Sequence, residues 1–397
     1  MTRDILLVLL AMMTWGLGEG MFIFFQPLYL QELGADPLKI GSILGAVGVA
    51  MTLSYLPAGY LSDRIGRRPL LVLAWVLGTL ATLTMALAPS LPIFVAGMLF
   101  YGLTSYVTVP LFSYMTAARG RFSVGRILTL NSAFFNLGSI LGPILGGVIG
   151  EHSGLQANFR YAALIFVFSS AIIFFIRPQP LEQADGSHTR FVSKELWRSS
   201  YFRYVLLVFF IMIGLYLPQP LSQNFLQNER GVGLTQIGRL IAARSAGIVI
   251  INLVLGQLNA RLGFRLTQIS MGLFACLIWL GNSLPFYYAG YLLVGSYITA
   301  RGFVIAQGRA LIKAKHMGLA YGMLETAMTL AMVVGPPLAG YLYQIDPETI
   351  YSVSLGLIAA GFLANLLFSP LNRLDMTSIE TEETAAQAEA NPIGHKL

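Results

Sequence analysis

This chain has little charge, one cysteine and few histidines, and each shortage excludes a class of protein. Asp, Glu, Lys and Arg make up 11% of its 397 residues, against roughly a quarter in soluble domains, so an ordinary soluble domain is excluded. The lone cysteine, Cys276, lies inside an apolar run and forbids an intrachain disulfide. His152, His188, His316 and His395 are scattered over predicted loops and the tail, which argues against a metal site. A glycine-rich nucleotide loop, a metal-ligand cluster and a nucleophile triad are all missing from the sequence. Neither an enzyme nor a cofactor is therefore expected.

What fills the chain is apolar: 56% of it is hydrophobic, and the mean hydropathy is +0.69. Runs long enough to cross a hydrocarbon core as helices recur at 5–31, 38–61, 69–89, 91–117, 124–150 and 159–177. Six more follow at 201–227, 234–259, 265–284, 285–311, 317–344 and 349–369. The pattern predicts an all-α membrane protein of twelve spans. The start of the chain resembles a signal peptide, but it lacks a small-residue cleavage site and runs on through Glu19 to Leu30, so it reads as a retained span.

With the N-terminus in the cytoplasm, eighteen bases fall in inside loops and tail, three (Lys39, Arg160, Arg230) fall outside, and Arg239, Arg244, Arg301 and Arg309 lie in spans. The net charge of +7 is then explained by the positive-inside rule rather than by nucleic acid. A multi-pass protein of the cell (plasma or inner) membrane is expected, with both termini cytoplasmic, lipids around it, and a monomer in use.

The polar segment 178–200, with Pro178, Pro180 and Gly186, reads as a cytoplasmic linker between six-helix bundles at 1–177 and 201–370. The acidic stretch 371–397 reads as a disordered cytoplasmic tail. An internal repeat supports two halves. Gln26-Pro27-Leu28 recurs as Gln219-Pro220-Leu221, and Gly142-Pro143-x-Leu145-x-Gly147 recurs as Gly335-Pro336-x-Leu338-x-Gly340, both at an offset of 193.

Ionisable residues inside spans are costly and are functional candidates by default. Glu19 lies about 14 residues into span 1, roughly 21 Å at ~1.5 Å per residue, near mid-depth. Trp15, Glu19, Phe22 and Gln26 share one helical face, as expected of a cavity-lining stripe. Glu19 is either a proton carrier or the fixed partner of an interior arginine. Arg244, and Arg301 one turn from Tyr297, are read in two ways: as binders of an anionic substrate, or as partners of Glu19 and Glu325. Span 7 offers Tyr216, Gln223 and Gln227 along one stripe with Gln219 beside it, and span 4 offers Tyr101, Ser105 and Thr108.

Between spans 2 and 3 stands Gly59-Tyr60-Leu61-Ser62-Asp63-Arg64-Ile65-Gly66-Arg67-Arg68. Its spacing resembles the loop between helices 2 and 3 of the major facilitator superfamily of secondary transporters. A worn copy at Gly256–Arg265 has Ala260 where the acid would be. The resemblance implies two parallel six-helix bundles that rock about a central site, powered by an ion or solute gradient. It also implies that Gly59, Asp63, Arg64, Gly66, Arg67 and Arg68 latch the cytoplasmic ends in the outward-open state; otherwise the loop only sets topology.

Span 5 carries Gly138, Gly142, Pro143, Gly146 and Gly147, similar to the signature of drug–proton antiporters, although Thr129 replaces its first glycine. Such a run is otherwise a small-residue packing face. Drug exchangers also place an arginine before the span 4 glycine, where this chain has Met98 ahead of Gly102. The first expectation is proton-coupled efflux of a small drug-like or amphipathic solute. The rivals are proton-coupled uptake of an organic anion and a non-transporting sensor or lipid-handling protein.

Overall fold

The computed structural model describes residues 2–179, 200–309 and 317–368, with the backbone alone at 56–64, 200, 317–319 and 368. The predicted linker and tail therefore lie almost wholly outside the described residues. Twelve crossings follow one another: α1 (Arg3–Glu32), α2 (Pro37–Ile65), α3 (Arg67–Ala86), α4 (Leu91–Ala118), α5 (Val124–Ser153) and α6 (Leu155–Phe174). Then come α7 (Ser200–Tyr216, resumed as Ser222–Asn228), α8 (Leu234–Leu255), α9 (Ala260–Leu280), α10 (Leu284–Arg309), α11 (Met317–Ile345) and α12 (Thr349–Phe368). Eleven of them are long and apolar enough to span a membrane. The exception is α7, which the sequence predicts as one rod and which is interrupted at 217–221.

The sequence explains the starts and stops. Asp36 caps α2 by accepting from the Lys39 amide at 2.8 Å, with Pro37 in the first turn, where its missing N–H costs nothing. Ser123 and Asn259 cap α5 and α9 in the same manner. Gly66 (φ +89°) and Gly154 (φ +81°) are the only residues between α2 and α3 and between α5 and α6. Only glycine adopts that conformation without strain, so each reversal depends on one residue.

The first helix of each group of three is broken near mid-depth. A 3-10 turn at Ile23–Phe25 interrupts α1, and another at Thr104–Val107 interrupts α4. α7 breaks around Pro218 and Pro220, and α10 breaks between Leu293 and Ser296. Proline supplies no donor and clashes with the preceding turn, so the repeated Gln-Pro-Leu sits where helices 1 and 7 change course.

Helices α1–α6 form one bundle and α7–α12 the other. In the first, rings pack as a column: Trp15 meets Trp75 at 4.9 Å and Phe166 at 4.5 Å, and Phe159 continues it to Phe94 at 4.9 Å. Trp75 Nε1 donates to Ser169 Oγ (2.9 Å), which donates to the Ala11 carbonyl (2.9 Å), pinning α3, α6 and α1 together. Glycine permits the closest approaches. A Cβ at Gly138, Gly142 or Gly146 of α5 would strike the backbone of α1. Large exposed apolar residues such as Leu80, Leu164, Phe168, Leu253 and Leu367 cover the outside, as a lipid-facing surface requires.

Candidate functional site

The bundles are sealed to each other on the face that carries the turn at 33–36. There Gly147 of α5 meets Leu234 and Gly238 of α8, while Gly41 of α2 meets Pro336 and Gly340 of α11. Each is a backbone-to-backbone contact that a larger residue would wedge open. Polar contacts complete the seal. Asn224 Nδ2 donates to Gln31 Oε1 at 2.7 Å, and Gln31 Nε2 donates to Asn228 Oδ1 at 3.0 Å. Glu151, at the end of α5, accepts from the Thr235 amide at 2.6 Å in the first turn of α8. Position 233, the cap of that helix, is glycine and has no side chain for the task. An acid of one bundle thus caps a helix of the other.

Beneath the seal lies a cavity of about 580 Å³ between the bundles. At the sealed end its lining stops at Pro27, Gln223 and Pro336, and toward the opposite face it reaches Tyr55, Phe112 and Asn131. The hydrogen bonds described between the bundles all lie from mid-depth to the sealed face, the innermost being Ser245 Oγ to the Ser139 carbonyl at 3.4 Å.

Of the residues singled out from the sequence, Trp15, Glu19, Gln26, Tyr101, Tyr216, Gln223, Arg244 and Tyr297 line this one cavity, and Gln227 does not. Gln219, Ser105 and Thr108 join them. Glu19 is the one acid and Arg244 the one base among the described lining residues. Glu19 lies against Trp15 and Tyr101, whose rings are 6.1 Å apart. Arg244 lies over the Phe24 ring at 4.7 Å, and the ring pair Tyr216–Tyr297 stands 5.3 Å apart on its bundle.

Arg301 and Glu325 are absent from the lining. They pair with each other, Nη2 to Oε2 at 2.6 Å, and both are partly exposed. Phe22 also leaves the predicted stripe: it is fully buried against Tyr101, Phe159 and Phe166, while Ile23 faces the cavity instead. The 3-10 turn after Phe22 breaks the simple helical register there. Polar residues of α2 and α5 were missed: Tyr55, Asn131, Ser132 and Asn136 line the cavity. Their signal was polar side chains within otherwise apolar spans, which the glycine pattern of span 5 overshadowed.

In the loop motif, Gly59, Asp63 and Arg64 fall where only the backbone is described. Arg67 donates to Gln179 Oε1 at 3.3 Å, and Arg68 donates to the carbonyls of Ile176 (2.7 Å) and Phe174 (3.1 Å). These contacts stay inside the first bundle, joining the start of α3 to the end of α6.

Comparison with known proteins adds kinship to this geometry. The profile of the Major Facilitator Superfamily matches residues 7–312 and 204–393. An uncharacterised MFS-type transporter of Methanocaldococcus jannaschii is 23% identical, covering 90% of this chain and 97% of its own. Multidrug resistance protein 2 of Bacillus subtilis is 24% identical, covering 83% of this chain and 86% of its own. Among solved structures, the nucleoside transporter NupG superimposes with a TM-score of 0.78 at 11% identity, over 94% of this chain and all of that one. At that identity the likeness speaks for the fold alone.

Proposed function

This chain belongs to the major facilitator superfamily, and on that premise we propose that it exports small amphipathic organic compounds in exchange for protons. The observation that carries the proposal is the composition of the cavity: aromatic and apolar walls around one carboxylate among the described residues, Glu19, at the depth where two bundles meet. Apolar walls suit an amphipathic solute. A carboxyl group in such a place is able to bind and release a proton as the cavity opens to one side and then the other. Kinship with a protein named for multidrug resistance supports export. The rival, uptake of an organic anion, drew on both Arg244 and Arg301. With Arg301 paired to Glu325 and absent from the lining, that support is weakened.

The count of eighteen inside bases against three supports placing both termini in the cytoplasm. The sealed face is then external and the cavity faces inward. Residues 1–177 and 201–370 act as the two rocking bodies in this reading, with 178–200 joining them. The loop at 59–68 latches their cytoplasmic ends in the opposite state, so its engagement across the bundles is not expected in the present one. The test is flux in liposomes carrying an imposed pH gradient, with ethidium as the amphipathic probe. Proton entry should drive the dye the other way in the native chain and not in Glu19→Gln. Equal gradient-driven flux in both would remove Glu19 from the proton path.

A further inference from the structure

The cavity carries one charge of each sign, on opposite walls. Glu19 projects from α1 of the first bundle and Arg244 from α8 of the second, and no ion pair joins them. Arg244 makes no hydrogen bond or ion pair with any described residue. Its described contact is the face of Phe24, and its Nε is shut away from solvent. A guanidinium offers five N–H donors, and no described protein acceptor engages those of Arg244. On the same wall Gln219 Oε1 and the Tyr297 hydroxyl are also buried without partners. Three polar groups of this wall thus lack protein partners, as do the Tyr101 hydroxyl and Asn131 Oδ1 on the other wall. Between the charges the surface is aromatic, with Trp15, Phe24, Tyr101, Phe135, Tyr216 and Tyr297.

We propose that the solute is an aromatic zwitterion, bound with its acidic group on Arg244, its protonated amine on Glu19 and its flat body among the rings. The inference rests on the carrier reading and names its substrate class. Arg244 suits a carboxylate because two parallel N–H groups match two oxygens. Electrostatics also fixes the sense of coupling. An ammonium group and a proton compete for the same carboxylate, so the solute arrives as the proton leaves, as exchange requires. An anion without an amine would instead favour a protonated Glu19 and travel with the proton. The other titratable groups sharing the cavity are Tyr55, Tyr101, Tyr216 and Tyr297; no second carboxylate lines it among the described residues.

The test uses three matched fluorescent probes: an aminomethyl naphthoate, its methyl ester (a cation) and its N-acetyl derivative (an anion). With the full-length protein in lipid nanodiscs, the zwitterion should bind about tenfold or more tighter than either relative, the increment of one charge-assisted contact. In weak buffer with a pH indicator, the zwitterion and the ester should release a proton and the N-acetyl probe should not. Arg244→Met should erase the advantage of the zwitterion over the ester. Three equal affinities in the native chain overturn the proposal without any variant, as does a zwitterion advantage that survives Arg244→Met. Gradient-driven flux of the ester in liposomes, with no preference for the zwitterion, keeps the exporter and sinks the zwitterion. Absence of driven flux for all three probes sinks both.

Discussion

The two bundles share a repeat, yet they build opposite kinds of wall. The first surrounds Glu19 with a column of interlocked rings, held by the Trp75–Ser169–Ala11 hydrogen-bond chain. The second presents the cavity's one described base, Arg244, beside Gln219 and Tyr297. Unpartnered buried polar atoms occur on both walls, at Tyr101 and Asn131 of the first and at Gln219 and Tyr297 of the second. Repeat equivalents make the contrast sharper. Gly142 in α5 abuts the α1 backbone, whereas its counterpart Gly335 in α11 abuts only the ring of Tyr216. The seam itself keeps the symmetry, for the Pro143 carbonyl meets Gly238 of the second bundle as the Pro336 carbonyl meets Gly41 of the first. Arg301 and Glu325, an ion pair, occupy the positions that Thr108 and Ser132 fill in the first half at the offset of 193. Duplication fixed the scaffold, and divergence gave one copy the cavity's acid and the other its base.

Breaking the first wall should have the largest effect. Glu19→Gln keeps size and polarity and removes the titrating group, so gradient-driven flux should fall about a hundredfold, or to background. Exchange of labelled solute at equal pH should persist, and loss of both activities alike would point to misfolding rather than to the proton.

The glycine pair tests whether the walls differ in rigidity. Gly142→Ala forces a methyl group into the α1 backbone and should cost about 1–3 kcal/mol. Gly335→Ala needs only a shift of the Tyr216 ring and should cost less than about 1 kcal/mol. Thermal unfolding in one detergent ranks the two, and equal losses would erase the distinction.

A smaller effect is expected at the seal. Glu151→Gln weakens the cap on α8 by about 1 kcal/mol, shifting the balance of states roughly fivefold toward parting of the sealed face. Labels at His152→Cys and Asn282→Cys in a Cys276→Ser background would report that shift as a distance distribution. An unchanged distribution would mean that the glycine contacts alone hold the face shut.

The smallest effect belongs to the pair outside the cavity. Arg301 and Glu325 are partly exposed, and such pairs contribute about 0–1 kcal/mol, so neutralising both together should change flux by at most about threefold. A larger loss would bring them back into the transport path.

Much of this was legible in the sequence because the signals were local or repeated. Run length gave the crossings, the loop at 59–68 gave the family, and a common offset paired the Gln-Pro and Gly-Pro sites. Helical spacing then gathered most of the span candidates onto one cavity. Spacing identifies a stripe but not where the cavity ends along it. Tyr297 and Arg301 share a face, yet one turn carries Arg301 beyond the lining to Glu325. Likewise, a 3-10 turn at Ile23–Phe25 redirects α1, so Phe22 enters the ring column and Ile23 takes its place. Asn131 and Tyr55 became cavity residues only through the placement of α5 and α2 against partners distant in sequence.

The bond from Glu151 to the Thr235 amide makes part of one helix conditional on the position of another bundle. While the face is shut, that amide is occupied by the carboxylate; when the face parts, it has no acceptor but solvent. Its hydrogen–deuterium exchange therefore counts openings of the outer face, one amide serving as the clock of the transport cycle. No label, substrate or added chemistry is needed to read it.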